Sequence, residues 1–265
     1  MQYTTEHSLC ADSIMKYADT PRFKIDCMKS VTSTNTLLKA YAEDGAEQFT
    51  VIAAEHQTAG RGRLNRDFYS PADTGVYFSI LLRPDLKAER AMHLTAFSAV
   101  AVALALDEFC AGKAKIKWVN DIYIDGRKVC GILTEAAVKS GTDLLNYAVI
   151  GIGINVLPPK HGFPDGISNK AGAVVADSEP DLRNRVIGRV LHYFDKVLFE
   201  LSEDDVFSEY CSRSLIDGMR VDVTDINSVY SATVRGIARD WRLIVELDGG
   251  EINYLSSGEV SVKMI

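Results

Sequence analysis

The chain has 265 residues, which is enough for one large hydrophobic core and a small second domain. Hydrophobic residues make up 47% and charged residues 25%, as in an ordinary soluble globular protein. The formal net charge of −7 gives no overall positive field that would draw the protein to nucleic acid or to a membrane. The five cysteines are odd in number and lack a CxxC pair, so the sequence predicts free thiols in a reducing cytoplasm.

The first part of the chain is predicted to alternate helices with strands. The expected helices span 8–18, 33–45 and 91–110, and the expected strands span 23–28, 49–55 and 76–82. Ser33 or Thr34 can cap the second helix, and Gly45 can end it. The third helix is rich in alanine but carries polar residues such as Asp107, so we expect a core helix rather than a membrane span.

Hairpins follow in the next part of the chain. Asp125-Gly126 is expected to turn between two strands within 115–138, and Ser140-Gly141 to lead into a strand at 145–156. Hairpins imply antiparallel pairing. Helices combined with such a sheet predict an α+β fold, whose sheet is mixed and largely antiparallel.

The last part of the chain changes character near residue 217. Residues 181–215 have a helical pattern, whereas short strands with turns at Asp248-Gly249-Gly250 and Ser257-Gly258 follow Gly218. This change predicts two domains, a large one at 1–216 and a small β-barrel at 217–265.

The loop at 56–71 is the first segment that can carry chemistry. Three arginines against Asp67 give it a local charge of +2 within an acidic chain, and Gly60 and Gly62 let the backbone approach a ligand closely. Arginine is well suited to bind phosphate and carboxylate oxygens. A basic loop that is only exposed to solvent, without binding a ligand, would have the same composition. It is not a Walker loop, since no Gly-Lys-Ser/Thr follows.

A second polar group lies in the segment 117–135. Lys117, Asn120, Asp121 and Lys128 surround a hairpin that is otherwise apolar. The alternative is that both lysines are exposed strand residues and that Asn-Asp only makes a turn.

Two shorter motifs have structural as well as functional interpretations. The glycines in 150–156 resemble a dinucleotide-binding loop, but the third glycine is missing and Leu157-Pro158-Pro159 would prevent the helix that must follow. Glycines in a strand otherwise permit close approach of backbone or ligand. The Ser33-Thr34-Asn35 motif is a helix cap that can also hold a polar ligand group.

The order of these motifs, from about residue 23 onward, resembles that of biotin–protein ligases. The resemblance implies a class II synthetase-like catalytic domain with a C-terminal Src-homology-3-like barrel, in a short form without an N-terminal DNA-binding domain. It also implies ATP and biotin as substrates, Mg²⁺, and a biotin carboxyl carrier protein or domain as partner. The expected activity forms biotinyl-5′-AMP and then biotinylates one carrier lysine in the cytoplasm. DNA and membrane partners are not expected, and the resemblance leaves dimerisation open.

The resemblance assigns roles residue by residue. Biotin contacts are implied for Ser33, Thr34, Asn35, Gln57, Arg61, Gly62, Arg63, Lys128, Gly131 and Gly151. Nucleotide contacts are implied for Arg63, Arg66, Phe68, Asn120, Asp121 and Asn155. Lys128 and Arg63 are the expected catalytic residues, and Asp121 is the one residue nominated as a metal ligand.

Three residues depart from the family pattern. Val119 stands in place of a proline, Asn65 in place of a common glycine, and Phe68 in place of a tryptophan that packs on adenine. A smaller ring is expected to weaken nucleotide affinity without ending activity.

The chemistry explains why cations are needed. Two anions such as a carboxylate and the α-phosphate repel by about 4 kcal/mol at 4 Å and an effective dielectric of 20. Arg63 and Lys128 are expected to offset this repulsion, whereas Arg61 is expected to order the loop.

Three other functions remain open on the sequence. One is a lipoate–protein ligase, a related fold with the same two-step logic, and the GRGRLNR and KWVND motifs speak against it. A transcriptional repressor would need an N-terminal domain, for which Ser33 comes too early. A module that only sequesters biotin would not need Arg63 and Lys128.

Overall fold

Five helices and twelve strands form the described part of this computed structural model, which covers residues 8–224, 229–256 and 259–262. The helices are α1 (Ala11–Ala18), α2 (Thr34–Glu43), α3 (Ala91–Leu106), α4 (Leu182–Phe199) and α5 (Glu203–Ser212). The first seven strands are β1 (Lys24–Met28), β2 (Thr50–Ala54), β3 (Gly75–Leu82), β4 (Lys115–Lys117), β5 (Asp121–Ile124), β6 (Arg127–Val138) and β7 (Leu145–Asn155). The last five are β8 (Arg220–Thr224), β9 (Val229–Ile237), β10 (Leu243–Leu247), β11 (Ile252–Leu255) and β12 (Glu259–Val262).

The main sheet contains the first seven strands in the order β1-β2-β3-β7-β6-β5-β4. Only β1 and β2 pair in parallel, and every other neighbouring pair in this sheet is antiparallel. The predicted α+β fold with a mixed, largely antiparallel sheet is therefore confirmed.

One face of this sheet is covered by α1, α3 and α4 and forms the main hydrophobic core. Alternate residues of β7, namely Ile150, Ile152 and Ile154, are buried on this face. The segment Ala88–Leu106 is long and apolar enough to cross a membrane, but 56% of it is buried inside the protein. Eleven of the sixteen residues of α3 are buried, as expected for a core helix.

Only part of the opposite face is covered, by α2. The Ser33 side chain caps this helix by accepting a hydrogen bond from the Thr36 amide at 3.5 Å. Leu38 packs with Leu81 and Val149 in a small second apolar cluster. Further along β7, on the same face, the side chains are replaced by Gly151 and Gly153, so the sheet surface beyond the start of α2 is open.

The C-terminal strands form a separate antiparallel sheet in the order β11-β10-β9-β8-β12. This sheet confirms the predicted small barrel of the Src-homology-3-like type. The predicted turn at Ser257-Gly258 lies outside the described residues, and the domain boundary near 217 stays a prediction.

Trp241 links the C-terminal sheet to the helices. Its fully buried ring packs edge-on against Phe97, Phe207 and Tyr210, at centroid distances of 5.8, 5.4 and 5.3 Å. Its carbonyl oxygen accepts a hydrogen bond at 2.8 Å from the indole N–H of Trp118, which lies between β4 and β5. The two sheets are thus connected through one continuous core.

The predicted hairpin around Asp125-Gly126 is present, but its first arm is not one strand. It is broken into β4 and β5 by residues 118–120, with a cis peptide bond between Trp118 and Val119. The arm breaks because Trp118 turns toward Trp241, whereas the Asn120 side chain turns back and donates to the Ile132 carbonyl at 3.0 Å.

Arg213, which is itself buried, fixes the end of α5 through ion pairs with two partly exposed carboxylates. It is 1% exposed, and its guanidinium bonds Asp107 at 2.8 Å, Glu209 at 2.6 Å and the Ala114 carbonyl at 3.0 Å. Arg213→Met should lower the free energy of unfolding in urea by about 3 kcal/mol, because two carboxylates lose their partner. Arg235→Ala breaks an exposed ion pair with Glu246 and should change the free energy of unfolding by less than about 0.5 kcal/mol. Equal losses of stability in both variants would show that the ion pairs of the buried Arg213 stabilise the fold no more than an exposed pair does.

Candidate active site

The open part of the sheet is the floor of a cavity, and glycines make it flat. In the strand register Gly131 of β6 lies opposite Gly153 of β7, and Gly151 lies between Leu133 of β6 and Ser79 of β3. An ideal Cβ at Gly151 would lie 2.1 Å from Asn35 Oδ1, and one at Gly153 would lie 2.5 Å from the Phe68 ring. Any larger residue would therefore displace a side chain that rests on the floor.

Fourteen of the fifteen predicted site residues line this cavity: Ser33, Thr34, Asn35, Gln57, Arg61, Gly62, Arg63, Arg66, Phe68, Asn120, Asp121, Lys128, Gly131 and Gly151. The exception is Asn155, whose amide donates to the Gly172 carbonyl at 3.1 Å beyond the cavity. The prediction did not include several further lining residues, namely Leu64, Asp67, Lys117, Trp118, Ile132, Leu133 and Ile152. Lys117 and Trp118 could have been found, because both belong to the KWVND motif.

One end of the cavity, beside Gly151, is built from uncharged polar groups. Gln57 Oε1 accepts a hydrogen bond from the Thr34 amide at 2.9 Å, and Gln57 Nε2 donates to Ser70 Oγ at 3.0 Å. Ser79 Oγ lies 2.8 Å from Thr34 Oγ1 and 2.6 Å from Asn35 Oδ1. We call the three lining side chains Thr34, Asn35 and Gln57, together with Ser79 buried behind them, the polar end.

Glu135 supports the polar end from β6, and it is not among the predicted site residues. Its carboxylate accepts hydrogen bonds from Asn35 Nδ2 at 2.9 Å and Lys39 Nζ at 2.7 Å, and it pairs with Arg61 at 3.2 Å. Burial alone would raise the pKa of Glu135, but the hydrogen bonds from Lys39 and Asn35 outweigh it and lower the pKa. The sequence did contain a signal for Glu135. It lies four residues after Gly131, and this spacing places both residues on one face of β6.

The Gly/Arg segment forms a small hairpin over the cavity rather than an irregular loop. The Phe68 amide donates to the Gly60 carbonyl at 2.9 Å, and the Gly62 amide donates to the Arg66 carbonyl at 2.7 Å. Leu64 lies at the tip with left-handed backbone (φ 56°) and is 64% exposed. The hairpin aligns Arg61 and Arg63 along the cavity.

The other end of the cavity, beside Gly131, carries cations. Lys128 Nζ lies 2.7 Å from Asp121 Oδ1, and Arg63 donates to Asn120 Oδ1 at 2.8 Å. Burial lowers the pKa of the Arg63 guanidinium, and the nearby Asp121 carboxylate opposes that shift. We call Arg63, Asn120, Asp121 and Lys128 the cationic end; its neutral and acidic members hold the two cations in place.

The Phe68 ring lies on the glycine floor between the two ends. Its edge is nearest to the positions of Gly131 and Gly153, and it packs edge-on against Tyr77 at 6.4 Å. The cavity therefore offers hydrogen bonds to an uncharged ring at one end, an aromatic surface on its floor and cations for an anion at the other end.

Two family models match the chain. The one described as the biotin/lipoate A/B protein ligase family matches residues 27–155, and the one described as the biotin protein ligase C-terminal domain matches residues 218–263. The first match contains every residue of the polar and cationic ends.

Relatives of known name are similar over long stretches. The biotin–[acetyl-CoA-carboxylase] ligase of Mycobacterium tuberculosis is 32% identical over 249 residues, which cover 89% of this chain and 88% of that protein. The bifunctional ligase/repressor BirA of Bacillus subtilis is 38% identical over 167 residues, which cover 63% of this chain and 51% of that protein. The chain thus spans only about half the length of that second relative.

A solved structure is also similar. The biotin protein ligase from Aquifex aeolicus in complex with biotin and ATP superposes with a TM-score of 0.71 at 27% identity. The superposition covers 91% of this chain and 98% of that one.

Gly153→Ala tests the glycine floor. The new methyl group should push the Phe68 ring aside and lower the free energy of unfolding by about 1–3 kcal/mol, as overpacking does. Urea denaturation measures this loss, and Gly249→Ala is the matched control because nothing lies within 4 Å of its added Cβ. The loss should largely disappear when Phe68→Ala is already present. A loss of the same size in that background would show that Phe68 is not the obstacle.

Proposed function

Since this chain belongs to the biotin/lipoate A/B protein ligase family, we propose that it is a biotin–protein ligase. It activates biotin with ATP to biotinyl-5′-AMP and then transfers biotin to a specific lysine of a biotin carboxyl carrier protein or domain.

The arrangement of the two ends of the cavity carries this proposal. Biotin has an uncharged cyclic urea at one end and a carboxylate at the other. The polar end offers hydrogen-bonding groups for the urea, and the cationic end offers positive charge for the carboxylate. The two ends rest on one flat floor, so a single extended ligand can contact both.

Adenylation takes place at the cationic end. The biotin carboxylate attacks the α-phosphate of ATP there, the bond between the α- and β-phosphates breaks, and pyrophosphate leaves; Lys128 and Arg63 offset the repulsion between the two reacting anions. Asp121 and Asn120 already hold these cations in position, so little reorganisation is needed when the charge of the transition state develops. We expect Arg66 and Phe68, which both line the cavity, to contact the nucleotide, with the Phe68 ring packing on the adenine.

We propose that Mg²⁺ binds together with ATP, coordinated by its phosphates. Within the described ranges, no three His, Cys, Asp or Glu side chains form a cluster that could hold a metal. Asp121, the nominated ligand, is engaged by Lys128.

Positioning supplies most of the catalysis in the second step, because AMP is a good leaving group. The carrier lysine, as the free amine, attacks the biotinyl carbonyl of the mixed anhydride; the bond between that carbonyl and AMP breaks, AMP leaves with the electron pair, and the new amide nitrogen releases a proton. The partner we propose is the carrier of a biotin-dependent carboxylase. We propose a cytoplasmic location, which agrees with five unpaired cysteines, and we expect no DNA or membrane partner.

The first test is exchange of labelled pyrophosphate into ATP without any carrier. Biotin should stimulate this exchange because adenylation needs no protein acceptor. Lipoate should support it poorly. Exchange that lipoate supports better than biotin would assign the chain to the lipoate branch of the family instead.

Lys128 should act mainly in adenylation. Lys128→Ala should slow biotin-dependent exchange by roughly 10²–10³, the scale of one lost electrostatic donor. Transfer from supplied biotinyl-5′-AMP should suffer less, since the anhydride is already formed. Lys139→Ala is the control, because Lys139 is exposed just beyond the far end of β6, the strand that carries Lys128 near its start. A Lys128 variant with the exchange rate of the unmodified protein would show that this lysine is not catalytic.

A further inference from the structure

Ser79 is buried in the middle of β3, in an apolar segment, and it is 0% exposed. It does not line the cavity, yet its hydroxyl contacts two residues that do, Thr34 and Asn35. A hydroxyl has one hydrogen to donate. The direction of its hydrogen bonds therefore decides what these two residues can offer to a ligand.

The orientation of the Asn35 amide is fixed from the outside. Its Nδ2 lies 2.9 Å from the Glu135 carboxylate and 3.1 Å from the Leu133 carbonyl, and both groups can only accept. Both hydrogens of Nδ2 are therefore used. Asn35 Oδ1 can then only accept a hydrogen bond. Its donor is the Ser79 hydroxyl, whose Oγ lies 2.6 Å away.

Thr34 also has no hydrogen left for a ligand. Since the Ser79 hydrogen goes to Asn35, the 2.8 Å contact between Ser79 Oγ and Thr34 Oγ1 needs the hydrogen of Thr34. Among the described residues, the other acceptor for it is Gln57 Oε1 at 3.2 Å, which already accepts from the Thr34 amide. In either case the Thr34 hydrogen is used within the protein.

We infer that Ser79 is a positioning residue that determines specificity: it makes Thr34 and Asn35 present oxygen lone pairs, and no hydrogen, to the cavity. Such a site selects ligands whose ring carries N–H donors. A cyclic urea has two of them, whereas the dithiolane ring of lipoate has none. This inference rests on the proposed function and adds the residue that discriminates between the two branches of the family.

Discrimination by such a site is expected to be strong. A ring without N–H leaves the cavity-facing lone pairs of these buried oxygen atoms without a donor, which costs more than the loss of one contact to solvent-exposed groups. This arrangement also requires Gly151, because any Cβ at this position would collide with Asn35 Oδ1.

The first experiment compares Ser79→Ala with Ser98→Ala in the full chain. Ser98 is a matched control, because it is equally buried and its hydroxyl donates to the Leu94 carbonyl away from the cavity. In pyrophosphate exchange, Ser79→Ala should raise KM for biotin about tenfold, the effect of one lost hydrogen bond. KM for ATP and kcat should stay within about twofold, as should all constants of Ser98→Ala. If KM for biotin and KM for ATP rise together, Ser79 only contributes to packing and the inference is wrong. If Ser79→Ala does not fold, Ser79→Cys preserves the volume with a weaker donor and should raise KM for biotin alone.

The second experiment removes the donor from the ligand. Binding of biotin, desthiobiotin and the two carbamate analogues, in which one ring N–H is replaced by oxygen, is measured by calorimetry. Desthiobiotin keeps both N–H groups and should lose as much affinity as biotin on Ser79→Ala. At least one carbamate should bind the unmodified protein at least about 100-fold more weakly than biotin, since lone pair would face lone pair. Two carbamates that bind as well as biotin would overturn the inference. Failure of the unmodified protein to bind biotin at all would instead overturn the proposed function.

Discussion

The candidate site depends on a steric constraint in the central strands. Three glycines, at 131, 151 and 153, leave one patch of the main sheet without side chains, directly beyond the N-terminus of α2. Glycine is unfavourable inside a strand because it packs nothing and loses much entropy on folding. Here this cost creates a flat surface on which Asn35 and Phe68 rest and over which the Gly/Arg hairpin folds. The same strands recover their stability on the opposite face, where Ile150, Ile152 and Ile154 are buried.

The polar and charged groups above this floor are organised by partners that are themselves held. Asn35 is fixed by Glu135, and Asn120 is fixed by the Ile132 carbonyl, so each amide has one orientation. Lys128 is held by Asp121. Fixed dipoles and ions of this kind are what electrostatic catalysis requires, because they need not reorient during the reaction. The arrangement also separates uncharged recognition from the charged reacting centre along a single strand direction.

Much of this site could be predicted from the sequence, because its motifs contain rare combinations of residues. Arg61, Arg63, Asn120 and Lys128 stand out in an acidic, apolar chain, and the family resemblance brought them together. Ser79 and Glu135 could not be found in this way. Their roles depend on which face of a strand they occupy and on the register between β3, β6 and β7, and a one-residue shift in register would move them to the other face. Asn155 lies outside the cavity for another reason: its side-chain amide donates to the Gly172 carbonyl, a contact with a distant segment of the chain.

The break between β4 and β5 shows a second limit. The hairpin turn at Asp125-Gly126 predicts one strand before it, and only a contact 123 residues further along the chain, from Trp118 to Trp241, explains why this strand is interrupted. This contact also bears on heredity. Trp241 does not line the cavity, yet its carbonyl holds Trp118, which does. We therefore expect a missense change at Trp241 to behave genetically like an active-site allele rather than like a surface variant.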